Sequence, residues 1–358
     1  MRVRLIILSI FLIFSSAHAI AADNDSEHKA GKFDPAEFIF EHVGDAHEWH
    51  IVTFNNHHIS IPLPVIIYSK KSGLHIFLSN KFHHNHGVYQ NFKLAQEGQY
   101  KGKIVELNSK GEIDENYPLP YDFSITKNVL AIFITSILLL VIFINIANTY
   151  KKNPDSPPKG LQNVFEPFIL FVRNEIAIPS IGEKKYHKYL PFLLSIFFFI
   201  WFSNLLGLIP IFPGGANVTG NISVTMALAI FAFFVINTNA NKEYWKHIVN
   251  PPGIPGFLKL PIPIIPFVEF LAIFIKPFVL MVRLFANILA GHMVAVVLLS
   301  LIFIFSGMIA WLGFAVAPIS ILFLIFMSLL ELLVALIQAY VFTLLTALYI
   351  GMATEEHH

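Results

Sequence analysis

Cysteine is absent from this 358-residue chain, and charged residues make up only 13% of it. The lack of cysteine excludes disulfides, thiolate metal sites and thiol nucleophiles. The charged fraction is far below the roughly 25% that is usual in soluble proteins. The net charge of +1 gives no sign of a nucleic-acid partner. Because the sequence has no glycine-rich phosphate-binding loop, nucleotide chemistry is not expected on this chain.

Hydrophobic residues are abundant instead, at 55% of the chain with a mean hydropathy of +0.64. This composition indicates an integral membrane protein. The N-terminus resembles a secretory signal peptide. Arg2 and Arg4 precede an apolar run over residues 5–14, and Ala17-His18-Ala19 follows as a possible cleavage site. We therefore predict a signal peptide over residues 1–19, with an uncleaved anchor as the alternative.

The next region, residues 20–122, is polar and unlike the rest of the chain. It contains short runs of strand-like composition, separated by turn signals such as Ser72-Gly73. These runs cover residues 51–54, 59–68, 74–78 and 104–107. The pattern predicts a small, mostly β region, and its position directly after the signal peptide makes it extracytoplasmic.

Residues 123–358 form a predicted membrane domain. The stretch 129–146 is uncharged and long enough to span a bilayer. Residues 190–210 and 224–237 are the next two predicted spans. Between the first two spans, residues 161–181 mix apolar and charged residues, a pattern typical of an amphipathic helix in the membrane interface.

Basic residues are confined to alternate connections between these segments. They are Lys151, Lys152, Lys159, Arg173, Lys184, Lys185 and Lys188 between the first two spans, and Lys242, Lys246 and Lys259 after the third. The connections on the other side, residues 211–222 and 306–318, carry no charge. Because basic residues mark the cytoplasmic side, we expect a periplasmic N-terminus and a cytoplasmic C-terminus in a bacterial inner membrane.

Two apolar runs near the C-terminus are too long for upright spans. As helices, residues 264–305 and 319–350 would reach roughly 60 Å and 48 Å, against a hydrocarbon core of about 30 Å. They predict two long, steeply inclined helices in a hairpin, with an additional short crossing in each run as the alternative. The expected fold is thus an all-α membrane protein with five transmembrane helices, one interfacial helix and the β region.

Polar residues within the first long run follow its helical periodicity. Glu269, Lys276 and Arg283 are seven residues apart and share a face with Asn287, whereas His292 points to the opposite side. A guanidinium does not deprotonate in proteins, so Arg283 can hold a fixed charge and attract a carboxylate but cannot relay protons. Lys276 and Glu269 fit a membrane end, where a long side chain reaches the interface.

The second long run carries Glu331 and Gln338, which share one helix face. Glu331 and His292 are both titratable and both fall in the middle of their helices. Imidazole and carboxylate can pass protons, and opposite charges at membrane depth usually pair. The spacing alone leaves two interpretations open, a proton relay and a static pair that fixes helix packing.

Residues 276–292 read KPFVLMVRLFANILAGH, which resembles the signature of the a subunit of F-type ATP synthase. The segments LIQAYVF (336–342), LYIGMATEE (348–356), NLLGLIP (204–210) and NVTGN (217–221) resemble further motifs of that family, in the same order. The resemblance covers residues 123–358, about two thirds of the chain. It does not extend to the β region.

This resemblance implies a proton-channel stator that is not an enzyme by itself and needs no cofactor or metal. Its partners would be a rotating ring of c subunits, the b subunits of the peripheral stalk and the rest of the complex. Arg283 would face the carboxylates of the ring between two offset aqueous half-channels. Asn287 and Gln338 would line the polar path, and His292 and Glu331 would belong to the outer half-channel.

One departure from the family pattern concerns that last pair. In much of the family a carboxylate occupies the place of His292 and a histidine the place of Glu331. The exchange preserves one acid and one imidazole, as expected for two side chains that meet in space. It leaves open which of them takes the proton first, and the sequence does not distinguish protons from sodium ions.

Two other functions are compatible with parts of the sequence. A secondary transporter or antiporter would show inverted repeats and broken helices at the midplane, and no internal duplication is visible. A metal-binding β region is suggested by eight histidines: His42, His47, His50, His57, His58, His83, His84 and His86. No carboxylate or cysteine pattern organises them, which favours a histidine-rich surface.

Overall fold

The computed structural model describes residues 44–54, 57–84, 87–95, 99–100, 102–108, 111–114, 117–152, 157–209, 212–249 and 264–355. The predicted signal peptide, residues 1–19, lies outside the described residues.

The N-terminal part of the described chain is built from short antiparallel strands. They are β1 (Glu48–Phe54), β2 (His57–Pro62), β3 (Pro64–Ser69), β4 (Gly73–Leu78), β5 (Val88–Tyr89), β6 (Phe92–Leu94), β7 (Ile104–Glu106) and β8 (Tyr121–Asp122), with a short helix α1 (Asn80–His84) after β4. The strands form three small sheets with the orders β1-β2, β4-β3-β8 and β5-β6-β7. The predicted mostly β character of this region is therefore confirmed.

The core of this β region follows from alternation along β3. Val65 and Ile67 point to one side and are fully buried with Phe92 and Ile104. The turn between β3 and β4 ends at Gly73, whose φ of 86° lies in the left-handed region that favours glycine. The predicted run 59–68 is divided in the structure, because β2 ends at Pro62 and β3 begins at Pro64.

The rest of the described chain is helical. Its elements are α2 (Lys127–Lys152), α3 (Leu161–Phe171), a π-helical segment (Val172–Ala177), α4 (Ile178–Ile181), α5 (Tyr186–Leu208), α6 (Ile222–Thr238), α7 (Lys242–Val249), α8 (Ile264–Met308) and α9 (Ala310–Thr354). In the described ranges, α2, α5, α8 and α9 are long and apolar enough to cross a membrane. The pair α6 and α7, bent by 100°, brings the number of candidate spans up to five.

The predicted segments coincide with these helices. The spans 129–146, 190–210 and 224–237 fall on α2, α5 and α6. α6 begins after Asn221, whose side chain accepts a hydrogen bond of 2.9 Å from the Ser223 amide and so caps the helix. Residues 161–181 are helical throughout, with one π-helical segment inside. The position of that helix in the interface stays a prediction.

The predicted connection over residues 306–318 is wrong. α8 continues to Met308 and α9 begins at Ala310, so that only Ile309 separates two helices of 45 residues each. The physical reason is close packing between the two helix ends. A Cβ on Gly313 would lie 2.7 Å from the Ser306 Cβ, so these residues pack as helix against helix.

α8 and α9 run antiparallel along their length. At one end Ser306 meets Gly313, in the middle Gly291 meets Glu331, and further on the Lys276 ammonium lies 5.3 Å from the ring centre of Tyr349. At about 1.5 Å per residue a helix of 45 residues reaches about 68 Å, more than twice the hydrocarbon thickness of about 30 Å.

The β region is fixed to the membrane helices at the start of α2. The Asn128 amide donates to the Asp45 carboxylate over 3.1 Å, and the Lys127 amide donates to the Ala46 carbonyl over 2.8 Å. Trp49 of β1 is buried in one cluster with Ala131 of α2 and with residues 216 and 218, which precede α6. The β region thus contacts both α2 and the segment 212–221 between α5 and α6.

The opposite end of the helices is closed by α4 and the end of α9. The Lys185 ammonium donates to the Thr354 carbonyl over 2.7 Å, and the Asn241 amide donates to the Ala353 carbonyl over 2.8 Å. Gly351 of α9 lies against α4 so closely that a Cβ there would be 1.9 Å from the Ser180 carbonyl oxygen.

We predict that Gly351→Ala destabilises the subunit, since the new methyl group meets backbone that cannot rotate away. Overpacking of this kind costs about 1–3 kcal/mol. The expected result is a lower midpoint of thermal unfolding in detergent. Gly307→Ala is the matched control, because nothing lies within 4 Å of its Cβ position. Equal midpoints for the two variants would contradict the proposed contact.

Candidate functional site

The contact between α8 and α9 brings two titratable side chains together. His292 Nδ1 lies 4.0 Å from Glu331 Oε1, and the two side chains are 23% and 13% exposed. Gly291 makes room for the carboxylate, because a Cβ there would be 2.8 Å from Glu331 Oε1. Among the described residues, that oxygen is buried without a hydrogen-bond partner. It therefore retains the capacity to accept a hydrogen bond or a proton.

A cavity of about 160 Å³ lies beside this pair. Its polar lining combines side chains from α5, α8, α9 and the segment 212–221. The polar residues are Ser203, Asn204, Asn217, Thr219, Asn287, His292 and Glu331. The volume is several times the 10–15 Å³ or so that one water needs, so the cavity can hold a short chain of waters.

Hydrogen bonds fix the wall of this cavity that α5 and the segment 212–221 form. The Thr219 hydroxyl donates to the Asn204 side-chain oxygen, and the Asn204 amide group donates to the Ala335 carbonyl of α9 over 3.4 Å. The Gly220 amide donates to the Asn217 side chain over 2.9 Å. α5, the segment 212–221 and α9 are thereby held around one polar space, next to the end that carries the β region.

Arg283 occupies the opposite face of α8 from His292. It is exposed on the surface of the chain, while its neighbours Leu280 and Leu284 are buried against other helices. Large apolar side chains such as Phe278 and Val279 share the exposed surface. Within the part of the chain that the structure describes, Arg283 makes no ion pair. A permanent charge thus lies on an apolar surface without an acid from the described residues.

Gln338 is buried on α9, seven residues from Glu331 in the direction of Tyr349. It does not line the cavity, and neither does Arg283. The structure therefore joins Asn287, His292 and Glu331 around one space and places the other two predicted site residues outside it.

A second cavity, of about 210 Å³, lies at the end of the helices opposite the β region. It is lined by Glu243, Tyr244, His247, Ile248, Glu269, Lys276, Met352 and Glu355, from α7, α8 and the end of α9. Glu269 and Lys276, predicted to lie near a membrane end, meet here. The site therefore consists of two separate polar spaces, with the turn of α8 that carries Arg283 between them.

Several residues that line the first cavity were not predicted from the sequence to be functional. Asn204, Asn217 and Thr219 stood in motifs of the family resemblance without an assigned function, and Ser203 was not singled out. The available signal was their polarity, because Ser203 and Asn204 interrupt the apolar run of α5. Their common cavity depends on tertiary contacts that periodicity within one helix does not reveal.

The metal-binding interpretation has no support in the described part of the chain. Those residues contain no group of three or more potential metal ligands. His47 instead lies 2.7 Å from Asp122. That contact and a hydrogen bond from Ser124 outweigh the effect of burial and lower the pKa of the Asp122 carboxyl. The side chains of the other seven histidines of that interpretation lie outside the described residues, so that it is not tested here: His42, His50, His57, His58, His83, His84 and His86.

The sequence matches two known protein families. The family described as ATP synthase A chain matches residues 129–351. The chain belongs to the ATP synthase subunit a family. A domain of unknown function, DUF8433, matches residues 38–123 and accounts for the β region.

Relatives in this family cover most of the chain. The subunit a of Chloroherpeton thalassium is 43% identical over 66% of this chain and 69% of its own length, and subunit a 2 of Chlorobaculum tepidum is 45% identical over 66% and 65%. The subunit a of an Anaeromyxobacter species is 36% identical over 90% of this chain and 76% of its own length. This last match extends into the β region.

Membership of the subunit a family confirms the predicted resemblance. The chain is a multi-pass membrane protein of the proton-transporting sector of ATP synthase, and its role there is not catalytic. This assignment favours the ATP synthase function over the secondary transporter that the sequence left as an alternative.

We predict that Gly291→Ala lowers ATP-driven proton pumping about tenfold, because displacement of a reacting group by about 1 Å is enough for such a loss. The added methyl group would contact the Glu331 carboxylate and move it. Pumping is measured in inverted membrane vesicles, with the amount of assembled complex as a reference. Gly307→Ala on the same helix should pump normally, and equal pumping by both variants would refute a role for this close approach.

Proposed function

We propose that this chain is the ion-conducting stator subunit of an F-type ATP synthase, with two offset half-channels and Arg283 between them. Transmembrane proton flow through these half-channels would drive rotation of a ring of c subunits and thereby ATP synthesis. The chain itself binds no nucleotide in this proposal. The observation that carries it is the separation of the two polar cavities by the turn of α8 that bears Arg283.

The spacing along α8 supports this separation. Asn287 in the first cavity follows Arg283 by four residues, about 6 Å along the helix axis. Lys276 in the second cavity precedes it by seven residues, about 10 Å along the axis. In this proposal, a proton that leaves one cavity would reach the other through a carrier that passes Arg283. A moving carboxylate on the ring is such a carrier.

The surroundings of Arg283 support a partner with carboxylates. A fixed cation on an apolar surface at membrane depth is unfavourable by at least about 2.5 kcal/mol unless an acid pairs with it. No described residue of the chain supplies that acid. In the most apolar stretch of each long helix, only 6% of α8 and 11% of α9 is buried within the chain. This exposed apolar surface suits packing against the helices of a c ring.

The cavity beside His292 and Glu331 would be the outer half-channel. The pair would pass protons between water in the cavity and the ring, with Asn287 on the path. Gln338 is buried outside the cavity, and its place on the polar path stays a prediction. The cavity that contains Glu269 and Lys276 would be the inner half-channel. This assignment follows the orientation expected from the basic residues, with the β region in the periplasm and the C-terminus in the cytoplasm.

The remaining partners and the arrangement in the bilayer follow from the same proposal. The chain would cross the inner membrane five times, with α6 and α7 as the third segment and with α8 and α9 as a steeply inclined hairpin. Only 17% of the apolar stretch of α2 is buried in the chain, which leaves a face for lipid. The b subunits of the peripheral stalk would be further partners of the chain.

We predict that Arg283→Ala and Arg283→Lys both reduce ATP-driven proton pumping to background while the complex still assembles. The lysine variant fails because a compact ammonium can deprotonate and lacks the planar fork of a guanidinium. Pumping is followed by quenching of a pH-sensitive dye in inverted vesicles.

Arg173→Lys is the matched control for this experiment. Arg173 lies outside α8 and α9, with its guanidinium 5.9 Å from the ring centre of Tyr186. Normal pumping by this variant shows that an arginine-to-lysine change is tolerated elsewhere in the chain. Substantial coupled pumping by Arg283→Lys would overturn the proposed role.

We also predict that His292→Glu combined with Glu331→His pumps better than either single variant. The double change restores one acid and one imidazole across the 4.0 Å contact, whereas each single change leaves two like groups. The comparison is a double-mutant cycle on pumping rates, in which groups in contact deviate from additivity. A double variant that pumps no better than the single variants would contradict a shared site.

A further inference from the structure

The three-stranded sheet of the β region presents one face made entirely of apolar and aromatic residues. Cross-strand partners lie on the same side of a sheet, so the register places Tyr68 with Leu74 and Tyr121, Ile66 with Ile76, and Pro64 with Leu78. Hydrogen bonds of 2.8 Å and 3.0 Å extend the β8 pairing, from the Phe123 amide to the Ile66 carbonyl and from the Ile125 amide to the Pro64 carbonyl. The face therefore has three rows of three side chains.

We refer to these nine residues as the apolar face. They are Tyr121, Tyr68 and Leu74 in the first row, Phe123, Ile66 and Ile76 in the second, and Ile125, Pro64 and Leu78 in the third. Ile76 and Phe123, in the middle row, are each 66% exposed. On the other side of the same strands, Val65 and Ile67 are fully buried and Phe77 is partly buried. The exposed large apolar side chains of this sheet are thus confined to one side.

A contiguous exposed apolar surface of this kind marks a site of contact with a protein or a membrane. The pattern is opposite to that of a sheet with one face in water, where polar residues alternate with the buried ones. No residue of the nine carries a charge. The face is consequently unsuited to contact with bulk water.

The position of the apolar face relative to the membrane is set by its connection to α2. Its third row ends at Ile125, and the membrane-spanning helix α2 begins two residues later at Lys127. Two residues of extended chain span at most about 7 Å. Ile125 in the third row therefore lies within about 7 Å of the start of α2, and Tyr121 in the first row is about 13 Å further along the strand.

We propose that the apolar face rests on the lipid bilayer, in the interface of the leaflet next to the β region. The interfacial layer of each leaflet is about 5–8 Å thick, and interfacial elements bury their apolar side about 5–10 Å deep. An inclined sheet tethered at Ile125 brings all three rows to this depth. Tyr68 and Tyr121, at the far row, are of the residue type enriched at membrane interfaces.

Continuity with the membrane-spanning surface favours lipid over a protein partner as the occupant. Two residues after the apolar face ends at Ile125, the chain enters α2 at Lys127, and exposed side chains further along α2, such as Phe133 and Ile137, are apolar. The β region would then be held at two points, by the Trp49 cluster on the helices and by the apolar face on the lipid. This arrangement would give the DUF8433 region a membrane-docking role.

The natural absence of cysteine permits a direct test with single introduced cysteines. Ile76→Cys and Leu78→Cys report on the apolar face. Lys93→Cys, on an exposed position of β6, is the water-exposed control, and Ile137→Cys on α2 is the lipid-exposed control. Each variant of the complete ATP synthase is labelled with a nitroxide, reconstituted into phosphatidylcholine vesicles, and checked for ATP-driven pumping.

The measurement compares collisions of the nitroxide with oxygen, which concentrates in lipid, and with a polar nickel chelate, which stays in water. We expect oxygen-to-nickel ratios at residues 76 and 78 to be close to the ratio at residue 137 and at least fivefold above that at residue 93. Ratios equal to that of residue 93 would overturn the proposal. Protection from both reagents would show that a protein segment covers the face, which also overturns it.

Discussion

A titratable or charged side chain is unstable in hydrocarbon unless it meets a partner or water. The antiparallel packing of α8 on α9 satisfies this requirement for His292 and Glu331, which it brings to 4.0 Å from each other. The same packing closes one side of the cavity whose other walls are α5 and the segment 212–221. If the two long helices separated, both ionisable groups would face lipid and the polar space beside them would disappear.

The titratable side chains and the permanently charged Arg283 lie in different surroundings. The histidine and glutamate, which can become neutral, are partly enclosed by the chain itself. Arg283, which cannot lose its charge, lies on the open apolar surface of the same helix. Enclosing it would require a permanent acid from the same chain and would remove it from a moving partner. Its exposure is therefore a condition of the proposed role.

Periodicity predicted most of what lies within single elements. It placed Arg283 and His292 on opposite faces of α8, and it placed the helix over residues 161–181 within the bounds that the structure has. The prediction of a connection over residues 306–318 was wrong, because two helices continue through this stretch and pack against each other at Gly313 and Ser306. It also left Thr219 and Glu355 without a role, since contacts between distant elements decide which polar side chains share a cavity.

The β region also contributes to the structure around the first cavity, although it lies outside the membrane helices. Its Trp49 is buried against residues 216 and 218, which flank Asn217 in the wall of the first cavity. Burial of a tryptophan side chain, about 200 Å² of surface, contributes on the order of 5 kcal/mol to this contact. The segment 212–221 has no regular secondary structure of its own, so such packing determines its position. The width of the polar cavity therefore depends partly on a region that the membrane domain does not contain.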